Sequence, residues 1–204
     1  MRRAAPPSGG RMNRNHHLNQ GEDIMAKQST LYSGGAQGAE SEFGRLAEKY
    51  GVQEVNFTFD GHKIERTRGL RVLTDEELLR KDVSLAYVSK LLNRNFTSAK
   101  QMRKVLQTIM YQVEAGHEVF VVGIVQEDGT VKGGTGWGAE FAKICNKPLY
   151  VFDQEKDGWF AWQDDAWQAV DAPVISHAHF TGTGTRFLEA NGKAAIEALF
   201  ARSF

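Results

Sequence analysis

Two short runs combine glycines and hydroxyl residues in the setting that anion chemistry needs. Ser33-Gly34-Gly35-Ala36-Gln37-Gly38 stands between a strand-like stretch and a helical one, and so does Lys132-Gly133-Gly134-Thr135-Gly136-Trp137-Gly138-Ala139-Glu140. The start of a helix presents unpaired backbone N–H groups and roughly half a positive charge. A phosphate placed there gains hydrogen bonds and dipole attraction together. Glycines let the backbone come within contact of the anion and take up positive φ. The Ser33 and Thr135 hydroxyls are further donors for the same group. A third stretch, Phe180 to Arg186 (FTGTGTR), closes on an arginine suited to phosphate. Loops kept only for tight turns and close packing are the plainer explanation of any one run. The three together favour a bound phosphate.

The spacings exclude the best-known phosphate motifs. No Gly-Lys-Ser/Thr follows at Walker A distance, and Gly192-Lys193 lacks both the upstream glycine and the hydroxyl. Gly35-x-x-Gly38 is only part of a G-x-G-x-x-G fingerprint. Asp60 stands where a ribose-binding carboxylate often sits, although a turn aspartate is the commoner use of such a residue. Arg66 and Arg68 reach a phosphate from a loop or form a solvated charge cluster. Trp137, bulky for a phosphate cradle, is expected to stack on a base or cover the site. Trp159, Trp162 and Trp167 read as core or hairpin packing. His177 and His179 share one face of an extended segment, but no carboxylate or cysteine cluster joins them, so no metal is required. Cys145 reads as a small buried hydrophobe.

These residues need elements to hold them. Thr30–Ser33 reads as a strand, and Phe43, Leu46, Ala47 and Tyr50 follow at helical spacing up to Gly51. Val55, Phe57 and Phe59 alternate as a second strand. Strand, glycine loop, helix and strand open a parallel α/β sheet. Thr74 with Glu77 forms a capping box for a helix that continues, with a break, toward Leu92. Ser98 with Gln101 forms another, ahead of a helix carrying Met102, Val105, Leu106, Ile109, Met110 and Val113 and ended by Gly116. The apolar run Glu118–Val125 suits a central strand covered on both faces. Asp128-Gly129 marks a turn, and the second glycine run leads into a helix through Ile144. Pro148–Phe152 is the next strand, with Trp159–Trp162 pairing back after Asp157-Gly158 as a hairpin. Pro173–Ser176 reads as a further strand. A last helix from near Asn191 turns Ala195, Ile196, Leu199 and Phe200 inward. The fold class expected is α/β, a Rossmann-like three-layer sandwich around a mostly parallel sheet with a small β-hairpin after the fourth strand.

The chain has 204 residues, 41% of them hydrophobic, enough for one domain with a real core. Its 25 basic and 25 acidic side chains cancel, so no overall field favours nucleic acid or an anionic membrane. The single cysteine excludes an internal disulfide and a CxxC metal site. This usage fits a reducing cytoplasm, and no apolar run reaches the ~18 residues of a membrane helix. Residues 1–24 are rich in arginine, proline and histidine and lack periodicity, so a disordered leader is expected there. The domain expected is 25–204. Gly21-Glu22 can be encoded by a purine-rich stretch resembling a ribosome-binding site, which suggests Met25 as the native start.

The motifs also carry a resemblance. The chain resembles the SLOG superfamily, which groups Rossmann-like nucleotide-binding proteins with the LOG ("lysine decarboxylase-like") enzymes and the molybdenum-carrier-like proteins. Ser33-Gly34-Gly35-x-x-Gly38 looks like the carrier-like branch. Gly133 to Glu140 is similar to the LOG motif PGGxGTxxE: both leading glycines, Gly136 and Glu140 match, while Lys132 replaces the proline and Trp137 the threonine. The resemblance spans residues 29–204. LOG enzymes cleave the N-glycosidic bond of nucleoside monophosphates with this glutamate and an upstream arginine. Glu140 is in register to stabilise charge on the ribose. No arginine lies between Lys104 and Val131, and Arg103 stands about thirty residues before the loop. Other members of the superfamily sense nucleotide-derived ligands, and many assemble, which implies a homodimer. The function expected is therefore binding of a nucleotide-like small molecule, as sensor or carrier. The alternatives are a phosphoribohydrolase, an oxyanion or metal carrier, and an interaction module without ligand. The sequence leaves open whether the protein is an enzyme and whether it uses a cofactor.

Overall fold

The computed structural model describes residues 26, 28–95 and 99–204. The expected leader, the Met25 start and the Ser98 cap lie outside the described residues. The opening unit forms as expected. Strand β1 (Thr30–Ser33) leads through the first glycine loop into helix α1 (Ala39–Tyr50) and back to β2 (Gln53–Thr58), parallel to β1 with Ser33 opposite Asn56. Gly51 ends α1 in the left-handed region at φ 75°.

Beyond β2 comes a three-residue strand, β3 (Leu70–Val72), which the sequence reading missed because all three residues are exposed and show no alternation. The Thr74–Glu77 capping box is present in both directions. The helix it opens breaks at Arg80–Lys81, giving α2 (Asp75–Leu79) and α3 (Asp82–Leu92). On their outer side Leu79, Val83, Tyr87 and Leu91 recur every four residues and are exposed. Helix α4 (Lys100–Ala115) starts from Ala99 and leads to β4 (Glu118–Gly123). Then follow α5 (Thr135–Ile144), β5 (Leu149–Asp153), the antiparallel pair β6 (Gly158–Gln163) and β7 (Ala166–Val170), β8 (His179–Gly184) and α6 (Ala190–Ser203).

All eight strands form one sheet in the order β3-β2-β1-β8-β4-β5-β6-β7. The pairings from β3 to β5 are parallel, and β6 and β7 turn back antiparallel. The expected hairpin is thus present, with β7 as an added edge strand. Alternation along β4 sorts the core into two layers. Phe120 and Val122 face α1 and α6, together with Leu31, Phe43, Phe180 and Phe200. Val119 and Val121 face α3, α4 and α5, together with Leu85, Met110 and Trp137. This is the expected three-layer α/β sandwich.

One expectation is corrected here. Pro173–Ser176 forms no strand: the buried Glu118 carboxylate accepts from the Ser176 N–H (2.7 Å), the Ser176 hydroxyl (3.0 Å) and the His177 N–H (2.8 Å), and so ties this segment down as a loop. The third glycine stretch supplies most of β8, at the centre of the sheet between β1 and β4. Its glycines admit neighbours. A Cβ at Gly182 would stand 2.5 Å from the Phe43 ring and 2.9 Å from Leu31.

Candidate functional site

Strands β1, β8 and β4 are adjacent, and the three glycine stretches end together along the carboxyl edge of the parallel sheet. From the centre the chain winds one way through β2 and β3 and the other way through β5. The edge beside such a reversal is where open α/β sheets bind ligands. The two loops there differ in what surrounds them.

The second loop opens onto a cleft of about 660 Å³, within the range of small-molecule sites. Gly133, at φ 71°, needs glycine, and Gly134 precedes α5. A Cβ built at either would meet nothing within 4 Å. Among the described residues, the N–H groups of Gly133, Gly134 and Thr135 have no hydrogen-bond acceptor. Lys132 stands beside them, exposed. Leu92, Met102, Leu106 and Trp137 give the cleft apolar lining, and Gln126 and Asp128 give it polar lining. The Asp128 carboxyl is held below its usual range by the Thr130 hydroxyl and N–H that it accepts from.

The loop is splinted by Arg94, which the sequence reading missed. Its guanidinium donates to Val131 O and Gly133 O (3.2 Å each), Gln126 Oε1 (2.7 Å) and Thr130 Oγ1 (2.8 Å). Arg94 thus ties down two loop carbonyls and itself lines the cleft. No sequence signal marks it, since it lies just past the end of α3. Arg103, the candidate upstream arginine, pairs instead with Asp82. Gly136 and Gly138 have packing roles: a Cβ at Gly136 would strike Val131 O, and one at Gly138 would lie 2.9 Å from Ile109.

Glu140 is not among the residues lining this cleft. It pairs with Lys143 at 3.1 Å, and the Lys143 ammonium lies 3.7 Å from the Trp162 ring centroid, toward the β6–β7 hairpin. Trp137 is 5% exposed and packs mainly into the layer below.

The first loop is closed. Ser33 is fully buried, and its hydroxyl donates to Gly182 O at 2.7 Å. Glu40, on the first turn of α1, folds its carboxyl back into the loop. There it accepts from the Ala36 N–H (3.0 Å) and the Thr183 hydroxyl (2.9 Å). With the Gln112 amide oriented to satisfy both ends, Gln112 donates to Glu40 (3.3 Å) and accepts from the Gly34 N–H (3.2 Å). Beside Gly35, the buried Asn56 Oδ1 has no partner among the described residues.

Burial pushes the Glu40 carboxyl above its ordinary value, against the pull of these donors. A raised folded-state value means that this group stabilises the fold below the unfolded value and that the contribution fades as pH rises through the folded one. Glu40→Gln removes the titration. Across urea unfolding at a series of pH values above the ordinary glutamate value, the variant is therefore expected to gain stability relative to wild type. A parallel pH profile for the two proteins would contradict this.

The remaining candidates lie apart. Arg186 is exposed, with its guanidinium 4.8 Å from the Phe187 ring centroid at the end of β8. Arg66, partly exposed, clasps the buried Glu54 and reaches the exposed Glu48 within a charge cluster. Arg68 sits half-exposed near Glu48 and Glu54. Asp60 is an exposed turn residue. His177 and His179 cluster with His117 at the opposite edge of the sheet, and His179 Nδ1 is 3.1 Å from the Tyr32 hydroxyl. Among the described residues no group of three metal-ligating side chains is placed to hold an ion. Cys145 is half-buried, and burial pushes its thiol up. No helix among the described residues is long and apolar enough to cross a membrane.

Comparisons with models of known families, with curated proteins and with solved structures find no match. The reading of the site accordingly rests on its geometry.

Proposed function

We propose that this protein binds a nucleotide or nucleotide-derived phosphate in the cleft at Gly133–Gly134, as a sensor or carrier in the manner of the SLOG proteins it resembles. The phosphate sits on the Gly133, Gly134 and Thr135 N–H groups with Lys132 beside it, and the base lies along Leu92, Met102 and Leu106. The observation that carries this reading is the set of N–H donors without acceptors at the start of α5, facing open space. Binding without hydrolysis is favoured because Glu140 is committed to Lys143 and lies outside the cleft lining.

The test is a thermal-shift panel of AMP, ADP, ATP, ADP-ribose, NAD, cyclic nucleotides, phosphate and molybdate. A ligand at a hundred times its Kd stabilises by about 2.7 kcal/mol, or a rise of roughly 5–10 °C for a chain of this size. Gly134→Val is expected to abolish that rise. The added side chain enters the open cleft rather than the core, so the fold itself should lose only about 1 kcal/mol. A flat panel would refute the reading. Release of free base would replace it with hydrolysis, and a response to molybdate alone with an oxyanion carrier.

A further inference from the structure

The two glycine loops share one edge of the sheet, yet they are built oppositely. At Gly133 and Gly134 no atom of the described residues lies within 4 Å of where a Cβ would stand. At Gly35 it is faced by Arg66 O at 2.8 Å, and at Gly38 by Thr185 O at 2.5 Å. Gly35 O is further clasped by the N–H groups of Glu65 (2.9 Å) and Arg66 (3.1 Å), and Thr185 O takes the first N–H of α1, on Ala39, at 3.0 Å. An incoming phosphate would therefore meet carbonyl oxygens where a phosphate-binding loop offers clearance. The unpartnered Asn56 Oδ1 beside Gly35 adds one more acceptor to that wall.

The loop's donors are not idle either. The Glu40 carboxyl takes the Ala36 N–H, the Thr183 hydroxyl and the Gln112 amide, and Gln112 in turn takes the Gly34 N–H. An N–H of the loop, a hydroxyl from the neighbouring strand and an amide from α4 thus converge on one pair of oxygens. Such convergence on an oxyanion is what a bound phosphate or carboxylate would otherwise require.

We propose that the first glycine loop is an anion cradle that the chain fills with its own Glu40 carboxylate. A ligand's phosphate is thereby excluded from this loop, and the second loop alone is left to take it. Only that last clause rests on the nucleotide reading of the cleft.

Glu40→Ala tests the proposal without any nucleotide, so its result is separate from that of the ligand panel. The variant should melt below wild type, and formate should raise its melting temperature by about 2–4 °C. Wild type should not respond, nor should either protein respond to chloride at equal ionic strength. Formamide, which puts an N–H donor where one of the two oxygens accepts, should do little. Rescue by formamide equal to that by formate, or no rescue by either, would overturn the proposal. If Glu40→Ala does not fold unaided, refolding from urea in formate and in chloride is the readout. Recovery in formate alone supports the proposal, and recovery in neither refutes it.

Discussion

Arg66→Ala is expected to cost about 3–5 kcal/mol of stability. Arg66 Nε and Nη2 hold the two oxygens of Glu54 at 2.7 and 2.6 Å. The Glu54 side chain is fully buried and that of Arg66 only 15% exposed. Paired carboxylates hold the guanidinium charge so firmly that its proton is bound more tightly than usual. Without Arg66 the Glu54 carboxylate keeps the Asn56 amide at 3.2 Å and the distant Arg68 at 3.8 Å, too little for a charge out of water. The pair also explains why a helix interior tolerates Gly44, since Arg66 lies across the position its side chain would occupy. Equilibrium unfolding in urea measures the loss. Adding Glu54→Gln to Arg66→Ala should recover part of it by removing the stranded charge. An Arg66→Ala protein within 1 kcal/mol of wild type would show that water reaches Glu54 after all. Glu48, on the exposed side of Arg66, should matter little.

Gly182→Val is expected to cost about 3 kcal/mol or more, because overpacking a tight core forces side chains off their rotamers and shifts the backbone. Gly182 sits in the central strand, where the ring of Phe43 fills the space above it. Phe43 in turn packs on Phe200, at 6.3 Å between centroids, so the strain spreads into the layer between the sheet and both α1 and α6. At Gly134 the Cβ of the same change meets no atom of the described residues within 4 Å. Comparing the two by thermal unfolding separates a glycine kept for packing from one kept for a ligand. Equal losses at the two positions would mean that the space at Gly134 is filled in solution.

Much of the local structure was legible in the sequence. The β1-loop-α1-β2 unit, the Thr74 capping box, the apolar β4, the α5 start and the β5–β6 hairpin all depend on period, cap and turn signals read over a few residues. The fold class followed from their order. The third glycine stretch shares its composition with the two loops, yet it forms most of a central strand. Glycine in a sequence does not say whether it serves backbone freedom or makes room for a neighbour, and the neighbour of Gly182 is Phe43, far away in the chain.

For the same reason, only the tertiary structure decided which glycines are packed against neighbours and which are open. Arg94 reaches Gly133, Thr185 caps the loop at Gly38, and Glu40 meets Thr183, all through contacts between distant segments. Glu140 and Arg103 stood at plausible spacings, but their partners, Lys143 and Asp82, drew them elsewhere. The amino-acid sequence determined the elements and the two glycine-led helix starts. Packing around the central β8 determined that one start is closed by the chain's own carboxylate while the other stays open, because access depends on what the folded chain places within a few ångströms of each N–H group.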